Sequence, residues 1–212
     1  MAVGKREHGC LNCLLLLVLL LSLSACATGS QPHLPYRAWY VGLLAPDYME
    51  VWVESVDVID RRGLVFERVH AGVVSILTPP NNSGDPRGWP QQVGAGSGKN
   101  LPGIDLPEIV FVRWQSLVEP QTYNVRINIP VWVREEMLKP RRGYCHFQGK
   151  WRDNEYRTDI TIGLAPGGIA KVWVAGPCLG PVRKVQTGRI GAVTGWRPAW
   201  QSATNSLIPL GI

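Results

Sequence analysis

The chemistry this chain can do starts at a thiol. "LSAC", Leu23 to Cys26, places small residues immediately before a cysteine. It follows the apolar run "LLLLVLL" of residues 14 to 20, which itself follows the basic residues Lys5 and Arg6. A positive start, an apolar segment too short to span a bilayer comfortably, and a small-residue cleavage point make an export signal. The cysteine adds a step. Its sulfur can take a diacylglycerol before the preceding peptide bond is cut, and the new amino terminus can then be acylated. This is the pattern of a bacterial lipobox. An ordinary signal with a chance cysteine, or a short membrane anchor, is the alternative. The lipobox assigns residues 1–25 to a cleaved signal peptide, Cys26 to lipidation, and residues 26–35, polar and Pro-containing, to a tether. Several acyl chains hold firmly, because each buried CH2 contributes about 0.8 kcal/mol. Ala27, rather than an aspartate, follows the cysteine, which favours the outer membrane with the domain facing the periplasm.

The other thiols agree with export. Of five cysteines, Cys10 and Cys13 leave with the signal and Cys145 and Cys178 remain in the mature chain. An even pair in an oxidising compartment is a disulfide candidate. The bridge would close a loop of about 33 residues and contribute about 3–4 kcal/mol on the chain-entropy model. Spacing alone does not bring the two together, so two buried free thiols are the other reading. A zinc site is not indicated: the mature chain has no Cys-x-x-Cys, and His33, His70 and His146 are scattered.

Catalytic patterns fail one by one. "GAGSGKN", residues 94 to 100, has Val93 where a phosphate loop needs its first glycine and Asn100 where it needs Ser or Thr. No serine stands in a Gly-x-Ser-x-Gly frame, and no His-Glu-x-x-His occurs. Glu50, Glu54, Asp57 and Asp60 lie along one strand-like run, where carboxylates form a solvated face rather than an acid/base pair. The sequence thus reads as a non-enzyme with no cofactor, metal or nucleotide.

Recognition is the remaining chemistry. The formal net charge is +6, and the signal's Lys5, Arg6 and Glu7 take only one positive charge away. In an exported protein such an excess suits anionic headgroups or an acidic protein better than nucleic acid, plain solubility being the other reading. Nine tryptophans are many for this length. Trp39, Trp52, Trp114 and Trp173 fall within strand runs and read as core. Trp89, Trp196 and Trp200 fall beside Pro or Arg in the loop and the tail. Trp and Arg dominate protein interfaces. Arg87 and Trp89 are therefore candidate partner-binding residues, as are Arg141 and Arg142 within the basic cluster of Arg134, Lys139, Lys150 and Arg152; local packing over the sandwich ends, for the tryptophans, and a solvated face, for the cluster, are the other readings.

These residues need a scaffold, and period-two patterns supply it. "TYNVRINI", residues 122 to 129, sets Tyr123, Val125, Ile127 and Ile129 against Thr122, Asn124, Arg126 and Asn128. "YRTDITIGL", residues 156 to 164, alternates in the same way, as antiparallel half-buried strands do. "YRAWYVGLL", "MEVWVESVDVI", "LVFERVHAGVVSIL", "EIVFVRW" and "IAKVWVAG" are further strands. Pro166-Gly167 reads as the centre of a type II turn, and Pro46-Asp47 as a type I corner. "LAP" before each suggests two similar hairpins. Residues 79–107 read as one long loop, and Pro130 to about Lys139 as a short helix. The expected fold is mainly β, an antiparallel sandwich-like domain over residues 36–212 with one short helix, α+β being the variant.

The lipobox, Gly88-Trp89, "LPEIVFVRWQSLVEPQTYNVRINIP" from Leu106 to Pro130, and "IGLAPGG" from Ile162 to Gly168 together resemble a proteobacterial lipoprotein family known as domain of unknown function 2931. The resemblance carries no catalytic residues. Its members often lie near type VI secretion genes. That implies an immunity lipoprotein neutralising a secreted lipase or phospholipase; a structural or lipid-binding envelope lipoprotein is the alternative. Mass spectrometry of the mature amino terminus is expected to find acyl chains on Cys26. Normal processing and membrane attachment of Cys26→Ser would refute the anchor.

Overall fold

Alternation along the strand runs builds two sheets with one core between them. The computed structural model describes residues 31–74, 81, 83–90, 93–179 and 183–189, the last segment as backbone. The signal, Cys26, most of the tether, residues 75–77 of the third strand run, and the tail with Trp196 and Trp200 lie outside the described residues. All that follows concerns the compact unit His33–Ile212.

The first sheet contains β1 (Ala38–Leu44), β4 (Ser97–Pro102), β9 (Asp159–Ala165), β10 (Ile169–Ala175) and β11 (Arg183–Arg189), in the order β11-β10-β9-β1-β4. The second contains β2 (Val51–Asp60), β3 (Val65–Val73), β5 (Pro107–Ser116) and β6 (Thr122–Asn128), in the order β3-β2-β5-β6. A separate two-stranded ribbon joins β7 (Arg141–Cys145) to β8 (Lys150–Glu155). Trp39, Val41, Leu43, Ile160, Ile162 and Leu164 of the first sheet share a core with Val53, Val58, Val112, Trp114 and Ile127 of the second. The helix α1 (Val131–Leu138) adds Val133 and Met137, one turn apart on one face. Among the described residues the fold is mainly β with antiparallel sheets and one α-helix, as the pattern indicates. One pairing departs from it: β1 runs parallel to β9, from Tyr40↔Asp159 to Leu44↔Gly163.

That parallel pair separates the two Leu-Ala-Pro corners. After Leu164-Ala165 the chain folds back into β10 of the same sheet, with Gly167 at φ 72 and Gly168 at φ 68. After Leu44-Ala45 it crosses to the second sheet and is no hairpin. The turn there runs from Pro46 to Met49, closed by a 3.0 Å bond from Met49 N to Pro46 O. Its central pair is Asp47-Tyr48, with Tyr48 at φ 62, so the expected type I corner on Pro46-Asp47 is corrected.

The segment 79–107 also differs from a plain loop. Its "SGKNLP" is β4, an edge strand paired with β1. The glycines that imitate a phosphate loop permit backbone approach: a Cβ on Gly98 would overlap Val41 O, and one on Gly42 would overlap Ala95 O. Residues 83–90 and 93–96 lie across the outer face of the first sheet. Thr161 Oγ1 donates to Gly94 O over 3.4 Å, and Tyr40 Oη donates to Gly96 O over 3.0 Å. Trp89 lies over Gly163, where a Cβ would come within 2.7 Å of its indole. It meets Trp173 edge to face at 5.6 Å and takes Lys171 over its ring at 4.8 Å. Trp173 is buried on this outer face, not in the central core, and Trp52 stands half-buried outside the second sheet.

Asp60 is no member of a solvated face; it is fully buried. Its Oδ2 accepts from Arg62 Nη2 (2.6 Å), Arg62 Nε (2.9 Å) and Asp105 N (3.2 Å), and its Oδ1 from Arg62 N (2.9 Å) and Leu64 N (3.2 Å). Burial pushes the carboxyl up, but the hydrogen bonds of Arg62 and the backbone outweigh it and hold Asp60 below the usual carboxylate value. The neighbouring Asp105 takes Arg61 Nε at 2.7 Å, and Trp39 Nε1 donates to Asp105 O at 3.1 Å.

Two stability measurements follow. Trp89→Ala uncovers the sheet and costs about 2 kcal/mol, read as a fall in Tm of roughly 4–8 °C, while Trp89→Phe costs less. An unchanged melt for Trp89→Ala would refute the clamp. Asp60→Asn costs roughly 3 kcal/mol at neutral pH. A depressed carboxyl stabilises above the unfolded value of about 3.9 and loses that contribution as pH falls through its lower folded value, so the gap to wild type closes in acid. A gap constant with pH would refute the ionised Asp60.

Candidate functional site

At one end of the sandwich, four connections meet: the corner after β1, the segment 83–89, the β5–β6 turn and the β9–β10 turn. Strand direction puts them together, since β1, β5 and β9 all finish there and β2, β6 and β10 all begin there. The sequence places side chains at these turns that fasten one to the next. Asp47 Oδ2 accepts from Asp85 N at 2.9 Å, and Tyr48 Oη accepts from Gly84 N at 3.1 Å. Leu117 N donates to Glu50 O at 2.9 Å. Glu119 Oε1 accepts from Tyr123 Oη at 2.7 Å and from Gly167 N at 2.8 Å, linking the two sheets across this end. Burial, then the bond and charge of Glu119, push the Tyr123 phenol up to about 12.

The Gly167 N–H of the Pro-Gly-Gly turn thus binds an anion that the protein itself supplies, the Glu119 carboxylate. Exposed groups stand around the fastened loops. Arg87 has 86% of its side chain in solvent and grips Asp85 through Nε at 2.8 Å and Nη2 at 3.0 Å. That side-chain pairing, with the Arg87 backbone bond, holds Asp85 at about 2. Leu117 and Val118 are each half exposed, and residues Gln115 to Pro120 line an open depression of ≈ 380 Å³. A cation, two exposed aliphatic side chains and a shallow depression are equipment for contacting another surface.

The residues expected to bind a partner do not form one site. Arg87 is at this loop end, whereas Trp89, two positions on, turns inward onto Gly163 and Trp173. Arg141 and Arg142 lie in the ribbon, which begins and ends at the opposite end of the strands. Arg141 Nη2 is spent on Glu136 at 2.6 Å, and Arg142 stacks over Trp151 at 5.2 Å. Arg134 Nη1 donates to Ile129 O at 2.6 Å and so caps the end of β6. Cys145 and Cys178 form a disulfide with Cα atoms 4.4 Å apart. Glu155 lies within 4.8 Å of both sulfurs, which are bonded to each other and so do not offer a thiolate pair. His33, His70 and His146 stand on different segments. His70 is lowered by burial and then by the charge of Lys99.

Sequence reading passed over Leu117, Val118 and Glu119. Their signal was present: an apolar pair stranded between the end of an alternating strand and Glu-Pro has no core to enter. It also passed over Tyr144, Phe147 and Trp151, whose ribbon has too little alternation to be read as strands.

No helix among the described residues is long and apolar enough to cross a membrane. Comparison with curated proteins and with solved structures returns no match. The loop end draws on three of the stretches that carry the family resemblance: the Gly-Trp segment, the β5–β6 region and the Pro-Gly-Gly turn. The model of the family described as a protein of unknown function, DUF2931, matches residues 26–203, and the chain belongs to that family.

Proposed function

We propose that the protein is a lipid-anchored, non-catalytic binding protein of the cell envelope, held at the periplasmic face of the outer membrane through Cys26 and presenting its loop end to a protein partner. The observation behind this reading is the fastening of the four connections, above all Glu119 bridging Tyr123 and Gly167. Loops ordered on a rigid scaffold are how β-sandwiches carry binding residues. Ordering them beforehand lowers the entropy cost of association. Arg87, 86% exposed, supplies a planar guanidinium that can exchange its surface pairing with Asp85 for a partner's carboxylate or phosphate-like group, and Leu117 and Val118 supply apolar contact.

The finer reading follows the family resemblance: an immunity protein that blocks a type VI secreted lipase or phospholipase. The chemistry suits that partner, because a lipid-cleaving enzyme opens on a mouth made for acyl chains beside a charged headgroup. A structural or lipid-binding envelope lipoprotein is the second reading, supported by the exposed aromatic ribbon at the other end.

Titration against the cognate effector tests the first reading. Arg87→Ala and Leu117→Ser are each expected to weaken binding by about 1–3 kcal/mol without lowering Tm. Wild-type affinity in both would remove the loop end from the mechanism.

A further inference from the structure

We infer that the β7–β8 ribbon is a second membrane contact, an aromatic and basic prong that lies in the headgroup layer of an anionic lipid surface. Nothing in the loop-end reading requires it; only its orientation argument rests on the Cys26 anchor.

The ribbon has two unlike faces. On one, Cys145 is bonded to Cys178, and Gly143 lies so close to Cys178 O that a Cβ there would overlap it. This face is pinned to the domain just beyond β10. The other face is thereby turned to solvent. Tyr144 pairs with Trp151 across the ribbon, ring centroids 5.6 Å apart, and His146 meets Tyr144 edge-on at 5.0 Å. Trp151 is 60% exposed, and Phe147 at the turn is 70% exposed. A disulfide that holds such rings outward works against their burial within the chain. Tyr and Trp, with an apolar body and a polar tip, suit the boundary between water and lipid.

Charge agrees. Residues 139 to 155 carry five basic side chains against Asp153 and Glu155. Arg152 is spent on Glu155 at 2.6 Å, and exposed Arg142 and Asp153 face each other at 3.6 Å. Lys139 and Lys150 are exposed, and no ion pair among the described residues engages them. Basic residues beside aromatic ones draw a protein to anionic headgroups.

Position agrees as well. Tyr36 packs on Tyr156 at 5.5 Å, directly after β8, so the tether enters the domain at the base of the ribbon. From Cys26 to Leu34 an extended chain reaches at most about 28 Å. An anchor at Cys26 therefore turns this end toward the bilayer. Leu64, Val65, Val131 and Trp132, also exposed, lie at the same end, where β2 and β6 finish.

The test uses the mature chain from Ala27, which contains every core residue and carries no lipid, so that neither the anchor nor a protein partner contributes. It is sedimented with vesicles of phosphatidylethanolamine and phosphatidylglycerol, or of phosphatidylcholine alone. Wild type is expected to partition onto the phosphatidylglycerol vesicles and to be released by high salt. The paired change Phe147→Ser and Trp151→Ser is expected to reduce partition about tenfold, and Lys150→Glu several-fold. Leu117→Ser, at the other end, is expected to bind as wild type. All of these sites are exposed, and melts check that each variant is folded. Failure of wild type to partition, equal binding to phosphatidylcholine, or an equal loss in Leu117→Ser overturns the proposal and leaves the prong to protein recognition.

Discussion

The parallel pairing of β1 with β9 is the constraint on which the rest of this molecule depends. Parallel neighbours cannot be joined by a tight turn. The chain between them must leave and come back, and here it makes the whole second sheet, the helix and the ribbon, touching the first sheet on the way only as its edge strand β4. The pair also aligns the start of β1 with the start of β9. Tyr36 and Tyr156 are brought together at one end, and the two Leu-Ala-Pro corners finish at the other. The division into an end that receives the amino-terminal segment before β1 and an end that carries the fastened loops is a consequence of that register. Such a non-local contact forms at a high entropic cost, which the apolar inner rows of Trp39, Val41, Leu43, Ile160 and Ile162 offset on burial.

A central pair buried on its inner face still has an outer one. Ordinary alternation would place polar groups there, and Asp159 and Thr161 fit that plan. Gly163 does not. It leaves a hollow that Trp89 fills, and the crossing segment covers Thr161 and Trp173 in turn. Asp159 is also withdrawn from water: burial pushes its carboxyl up, against the hydrogen bond from Thr158. The domain is thus two sheets plus a strap, and the strap accounts for a glycine-rich stretch that otherwise looks like a ligand loop.

Anionic groups are used internally with some consistency. Asp60 and Asp105 knit the β2–β3 turn to the segment before β5, and Glu119 knits the opposite end. In each case a carboxylate satisfies backbone N–H groups that a turn leaves without partners, which is worth more out of water than at the surface. Several cationic groups stay outside, although Arg157 is buried. Arg87, Lys139 and Lys150 are exposed at the two ends, and this asymmetry places positively charged side chains on the surface there.

The sequence by itself determined the strand-rich class, the strands whose alternation is clean, the short helix after Pro130, the glycine turn at 167, and the membership that its motifs signal. These are local properties: period two, proline's fixed φ and glycine's tolerance of positive φ act within a few residues. Only the tertiary structure decided that β1 lies parallel to β9, that "SGKNLP" is an edge strand, that Asp60 is buried, and that Trp89 faces inward while Arg87 faces out. Each of those depends on which distant segment arrives as neighbour. A tryptophan beside an arginine reads the same whether it covers a glycine or waits for a partner, and it was Gly163, far along the chain, that settled which.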